Sequence, residues 1–329
     1  MWTYAHRKAY QNRIFGEGSE EASGTDTGGD VSVSNKKSPA DKIKSAADIT
    51  KKLLKKEILF CDIGPRAYAM SEQKEVVKRH LQDMRSKEKF ATRKIKKRLP
   101  NVVSSHSSHM IKSGPGIDPV QQQNKAVNIK LASATFNGMV IMPGETFSFW
   151  RTVGKTTAKK GYKNGRVIYG DVMEPGLGGG LCNLGNTVHL LILHSPMTIT
   201  EIHTHSDALA PDEGPRVPYS TGTSVGYNYI DFRFRNDTDQ PVQLRAWTKG
   251  ETSYAELRSM KPFPWTYKLA EEDHHFRKEE DGKYYRVSKI YRETYDRETG
   301  ELLKRELIRD NHSEVMFDYD LIPKELIRE

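Results

Sequence analysis

The sequence predicts an α+β fold. N-terminal basic helices are followed by a mixed domain, in which a central helix starting near Cys182 packs on an antiparallel sheet. Three observations carry this expectation. An apolar run through Val188, Leu190, Leu191, Ile192 and Leu193 follows the glycines Gly178, Gly179 and Gly180, and has the length and composition of a buried helix. Apolar residues recur at helical spacing among the lysines of the first third. The last third is a series of short strand-like segments separated by turn sequences such as Asp281-Gly282 and Thr299-Gly300.

In chain order, residues 1–41 read as a disordered extension. Between Gly16 and Asn35 they are Gly, Ser, Glu, Asp and Thr with almost no apolar content, too little to offset the conformational entropy of ordering. Residues 42–116 form a basic helical region and linker. Ile43, Ala46, Ala47, Ile49, Leu53, Leu54 and Ile58 mark one amphipathic helix, and a second is expected from Ser71 to about Met84. Pro100 stops the basic stretch, and the serine-rich segment Val103–Gly116 reads as a loop. The core, residues 117–260, begins with a helix over Lys125–Phe136, the turn Asn137-Gly138 and a strand over Met139–Met142. Strands are expected at Arg166–Tyr169, Thr198–His205, Thr223–Tyr229 and Asp231–Arg235, then in the meander Pro241–Thr248 and Ser253–Leu257. Residues 261–329 form a C-terminal β-hairpin extension.

The charge is unevenly placed. Lys36 to Arg98 holds 20 Lys and Arg against 8 Asp and Glu, a balance of +12, whereas the whole chain carries +9 and the remainder therefore −3. The basic 36–98 segment suits an anionic surface: lipid headgroups, wall polymers or nucleic acid. No zinc-finger, RNA-recognition or helix-turn-helix pattern is present, so nucleic acid is not the expected partner. No run approaches the roughly 18 apolar residues of a membrane helix, and the N-terminus lacks the apolar stretch of a secretory signal. Cys61 and Cys182 make no disulfide framework, which fits reduced thiols and a cytoplasmic address, with peripheral membrane contact left open.

Three stretches carry candidate chemistry. A cysteine at a helix start, as Cys182 is expected to be, meets unpaired N–H groups and the positive end of the helix dipole, which lower a thiol pKa; the alternative is a cysteine that only fills space. Glu145, among the aromatic residues Phe147, Phe149 and Trp150, is either a carboxyl of raised pKa or a turn cap. On a strand, His203 and His205 share one face and could serve a cysteine as base. Two histidines at that spacing are a weak zinc signal; Cys182, Asp207 or His189 could supply a third ligand, but with no CxxC or HExxH pattern no metal or other cofactor is expected. The glycines lack the Gly-Lys-Ser/Thr of a P-loop, and Leu181 breaks the dinucleotide spacing.

Four motifs in order, Pro143-Gly144-Glu145-Thr146-Phe147-Ser148-Phe149, Gly178-Gly179-Gly180-Leu181-Cys182-Asn183, His203-Thr204-His205 and Asp231-Phe232-Arg233-Phe234-Arg235-Asn236, resemble the VanW family, in its short, non-exported form, from roughly Phe60 onward. Most members have Gln where this chain has Asn183. The resemblance implies an accessory role in glycopeptide resistance and a link to peptidoglycan or its precursors, without supplying a mechanism. Three functions stay open. Cys182, His205 or His203, and Asp231 follow the order of a papain- or transglutaminase-type acyl transferase or amidase. Alternatively, Gly178, Gly179, Gly180, Asn183, Arg216 and Arg233 hold a peptide or cell-wall precursor without catalysis. In the third, Glu145 is the general acid of glycan cleavage, with Asp231 as second carboxylate.

Overall fold

The computed structural model describes residues 60–113, 117–169, 172–204, 207–208, 211, 218, 223–227 and 230–328. The extension, the first predicted helix, His205 and Arg216 therefore lie outside the described residues. The fold is mixed α+β, with helices and several largely antiparallel sheets. The chain divides into two compact units, one of Met1–Leu81 with Ile168–Glu174, the other of Gln82–Val167 with Pro175–Glu329.

In the first unit, helix α1 (Pro65–Arg85, its last turn belonging to the second unit) begins six residues before the expected Ser71. Proline at the first helical position loses no hydrogen bond, because that N–H has no partner in any helix, and its fixed φ suits the helix. Ser71 is an interior residue rather than a cap.

The second unit holds the core. A sheet of order β2-β11-β10-β3 is formed by Asn101–His109, Thr252–Ser259, Val242–Lys249 and Met139–Ile141, all antiparallel. Here the serine-rich segment, expected as a loop, is a strand. Strand β11 pairs with it from His109↔Thr252 to Asn101↔Ser259, and the buried Ser104 hydroxyl donates to the Leu191 carbonyl at 2.9 Å. Long-range backbone pairing satisfied what local composition could not signal. Helix α2 (Pro119–Phe136), capped by Asp118 with Pro119 following, lies against β10. Its buried Ile129, Ala132 and Phe136 join Leu244, Leu257 and Val188 in the core.

A second sheet, β1-β4-β9-β7, pairs Lys89–Phe90, Glu145–Ser148, Arg233–Arg235 and Thr198–Glu201. Strand β7 ends at Glu201 rather than His205, because its partner β9 starts only at Arg233, the residue opposite Glu201. The strand expected over Thr223–Tyr229 is reduced, in its described residues, to isolated bridges at Thr223 and Gly226. Short helix α3 (Phe149–Val153) follows β4, and Phe136, Phe147 and Phe234 pack with ring centroids 5.5 and 5.1 Å apart.

Strands β5 (Asn164–Tyr169) and β6 (Val172–Leu177) lead to the glycines and helix α4 (Leu181–Leu193), which packs on β2 and β11. The long strands β12 (Trp265–Lys278), β13 (Tyr284–Asp296) and β14 (Leu302–Val315) form the last sheet, with β15 (Ile327–Arg328) and β8 (Asp207–Ala208) at its edges. Ile290 of β13 is buried with Leu190 and Leu193 of α4. No described helix is long and apolar enough to cross a membrane.

Candidate functional site

The glycine turn is built by close approach. Gly178 has φ +82, and a Cβ there would stand 2.7 Å from the Thr156 side chain, so only glycine fits. Gly180, at φ 92, is the left-handed N-cap of α4, and the Lys125 stem lies where its Cβ would be. Fully buried Asn128 holds the turn: its Nδ2 donates to the carbonyls of Gly179 (3.0 Å) and Lys163 (2.9 Å), and its Oδ1 accepts from the Lys163 amide. Asn128 carries no sequence motif and was not anticipated.

Cys182 occupies the second residue of α4 and packs against the core. Its thiol makes a reciprocal pair with Val225, donating to the carbonyl and accepting from the amide, both at 3.5 Å. Burial pushes the thiol pKa up and outweighs the lowering by its backbone hydrogen bonds, the direction opposite to that expected at a helix start. No histidine bonds to it among the described residues.

One turn and two turns further along the same helix face stand Asn186 and His189. Thr223 donates its hydroxyl to Asn186 Oδ1 at 2.8 Å, and His189 Nδ1 lies 2.9 Å from that hydroxyl. The Cys182, Asn186 and His189 spacing, i, i+4 and i+7, puts all three against the segment 223–225. Burial, and secondarily the positive charge of Arg309, lowers His189 to about 3. Asn183 is turned differently: its Nδ2 donates to Ser108 Oγ at 3.1 Å, while its Oδ1 is buried with no hydrogen-bond partner among the described residues.

His203 is exposed in the segment after β7 and pairs with Glu201 at 2.9 Å. Among the described residues no three His, Cys, Asp or Glu cluster as a metal site. Glu145 accepts the Met142 amide at 2.9 Å, closing its own turn.

Asp231 and Arg233 form a separate, buried charge centre. Asp231 Oδ2 accepts from Ser148 Oγ (2.5 Å) and Arg233 Nε (2.8 Å), and Oδ1 accepts from the amides of Trp150 and Phe232 (both 2.9 Å). The Arg233 guanidinium also forks onto Asp83 at the end of α1, at 2.8 and 3.0 Å, with Glu88 at 3.3 Å. Burial opposes its charge, but the hydrogen bonds to Asp83 and Asp231 prevail and raise its pKa. Asp83 and Ser148 were not singled out from the sequence; an aspartate among lysines on a polar helix gives no signal of a partner 150 residues away.

The stretch of sequence that holds the glycine turn, the helix of Cys182 and the β4–β9 pair is similar to known proteins. Residues 124–258 match the family described as VanW like protein. The chain carries a VanW family domain. Vancomycin B-type resistance protein VanW of Enterococcus faecalis (strain ATCC 700802 / V583) is 29% identical over 221 residues, 67% of this chain and 80% of that protein. Uncharacterized protein YoaR of Bacillus subtilis (strain 168) is 31% identical over 137 residues, 42% of this chain and 44% of YoaR. No solved structure matches the chain. Cys182, the glycine turn, Asp231 and Arg233 all fall within the VanW match, whereas Asp83 and Glu88 lie before it.

Proposed function

We propose that this VanW-like protein is an accessory factor in glycopeptide resistance that binds a peptidoglycan precursor peptide without transforming it. The link to resistance rests on the name of the enterococcal relative. The observation that carries the non-catalytic reading is the Asp231 carboxylate. Its two oxygens already accept four hydrogen bonds, leaving it no place as the third member of a Cys-His-Asp set. The raised Cys182 pKa supports the same reading. Glu145, bonded to the Met142 amide, serves its turn rather than a glycan.

The binding surface is the start of α4, where Gly180 and Asn183 are partly exposed above the buried Gly178 and Gly179; the Asn183 Oδ1, without a partner among the described residues, turns outward on binding to accept a peptide N–H. Arg233 belongs to the protein's own charge centre and is left out of this surface.

Titration calorimetry with a nucleotide-linked muramyl pentapeptide, followed by mass spectrometry of the mixture, tests the proposal. Saturable binding, an unchanged ligand mass and roughly tenfold weaker binding by Asn183→Ala are expected, the size of one hydrogen bond to a buried group. A new product that disappears in Cys182→Ala would transfer the site to cysteine catalysis. Absence of binding would overturn the reading altogether.

A further inference from the structure

The basic run Arg93–Arg98 is part of a strap laid across the β2-β11-β10-β3 sheet. It enters beside β3, where Val140 donates to the Arg93 carbonyl at 2.8 Å and Ile95 donates to that of Gly138 at 2.9 Å. Gly138, at φ +85, is needed here: a Cβ would stand 2.4 Å from the Ile95 oxygen. The strap then crosses β10 and β11 on the face away from α2 and α4. Fully buried Gln243 donates to the carbonyls of Ile95 and Lys97 and accepts the Leu99 amide. Arg245 donates to the Lys96 carbonyl, and Arg258 to those of Leu99 and Pro100.

Side chains of the sheet thus consume the strap's carbonyls and leave its cations outward. Arg93, Lys94, Lys96, Lys97 and Arg98 are exposed, and none has a carboxylate partner among the described residues. Beside them, Trp247 and Tyr254 stack across β10 and β11 at 5.5 Å and 8°, with the Arg98 guanidinium 6.0 Å from the Trp247 ring. Arg98, Arg245 and Arg258 crowd together strongly enough that burial, followed by their mutual repulsion, lowers the Arg245 pKa, with only Glu256 opposing.

We infer that this strap and the adjoining Trp247–Tyr254 pair form a docking surface for an anionic phospholipid bilayer. Five exposed cations without carboxylate partners on one short segment, bent at Lys96 and Lys97 and about 20 Å at most from end to end, concentrate positive charge at the surface. Tryptophan and tyrosine favour the headgroup layer, where an apolar ring and a polar tip are both accommodated. The aromatic pair is already stacked on itself and overlain by Arg98, so it offers no open platform of the kind single-stranded nucleic acid uses. The inference stands on the strap alone and does not depend on precursor binding.

Co-sedimentation of the full chain with vesicles tests it. Phosphatidylcholine vesicles containing about one third phosphatidylglycerol are expected to bind the chain, and pure phosphatidylcholine is not; binding should weaken steeply as salt rises from low to physiological strength. Lys94→Gln/Lys96→Gln/Lys97→Gln/Arg98→Gln should lower partitioning about 100-fold or more, at about 1 kcal/mol per cation near the surface. Those side chains hold none of the strap's backbone contacts, so the fold should persist; should the fourfold variant fail to fold, Lys96→Gln/Lys97→Gln is expected to show about a thirtyfold loss. Equal binding to neutral vesicles would overturn the inference. So would wild-type binding by the variants, which would move the contact to the lysines of residues 36–59. Displacement from vesicles by an equimolar single-stranded oligonucleotide would assign the surface to nucleic acid instead.

Discussion

The Cys182 thiol stands where a helix dipole favours the thiolate, yet its pKa is raised, because the dipole is only one contribution and burial is the larger one here. Its hydrogen bonds to Val225 lock the helix start to the segment 223–225. His189, two turns on, shows the same balance with a testable consequence. Its ordinary pKa of 6.5 falls to about 3 in the fold. The native state therefore keeps it neutral where the unfolded chain takes up a proton, and stability falls as pH drops below 6.5. At about pH 4.5 the deficit approaches 2–3 kcal/mol, at about 1.4 kcal/mol per pH unit. Urea unfolding at pH 7.5 and 4.5 should show His189→Gln losing clearly less stability on acidification than the wild type. An identical loss in both would mean that His189 is not the group responsible.

At the scale of elements, Arg233 joins three pieces of chain. It sits on β9 between Ser148 of β4 and Glu201 of β7, and reaches Asp83 in the last turn of α1. Arginine suits this place because its planar fork satisfies two carboxylates at once and cannot lose its proton. Removing it leaves Asp231 buried without its counter-charge and Asp83 with only the 3.4 Å contact to Arg151. Arg233→Met is therefore expected to cost about 3–5 kcal/mol in urea unfolding at neutral pH. A loss below about 1 kcal/mol would show that the carboxylates reach solvent. The Asp231-Phe232-Arg233-Phe234-Arg235 alternation was legible as a strand signal. That Asp231 and Arg233 are buried as well as Phe232 and Phe234, with only Arg235 left exposed, was not, because alternation gives two faces without saying how far each is covered.

For the whole second unit, the C-terminal sheet is held to the core by apolar contact as well as by chain connection. Ile290 is 2% exposed and meets Leu190 and Leu193, the face of α4 turned away from β2 and β11. Arg292 adds a hydrogen bond to the Ser195 carbonyl. Ile290→Ala should therefore destabilise the core as well as its own sheet, by about 2–4 kcal/mol. Tryptophan fluorescence and circular dichroism should report the same shifted transition. Separate transitions by the two probes would mean that the sheet unfolds independently of α4. The turns Asp281-Gly282 and Thr299-Gly300 were readable locally as hairpins, whereas the docking of Ile290 on α4 depends on residues about 100 positions apart.

By itself the sequence determined the α+β class, the glycine turn leading into the helix of Cys182, the C-terminal hairpins and the motifs of the VanW family. Each depends on periodicity, turn chemistry or residue type within a short window. Only the tertiary structure decided that the serine-rich segment is a strand, that His203 lies beyond the end of one, and that Asp231 is satisfied by Ser148, Arg233 and two amides. It also laid the basic run 93–98 across a sheet with its cations outward. These outcomes depend on which distant groups supply a backbone partner, a counter-charge or a desolvated wall. No local window contains that information, and the energy of a buried polar group is set by those partners more than by its own identity.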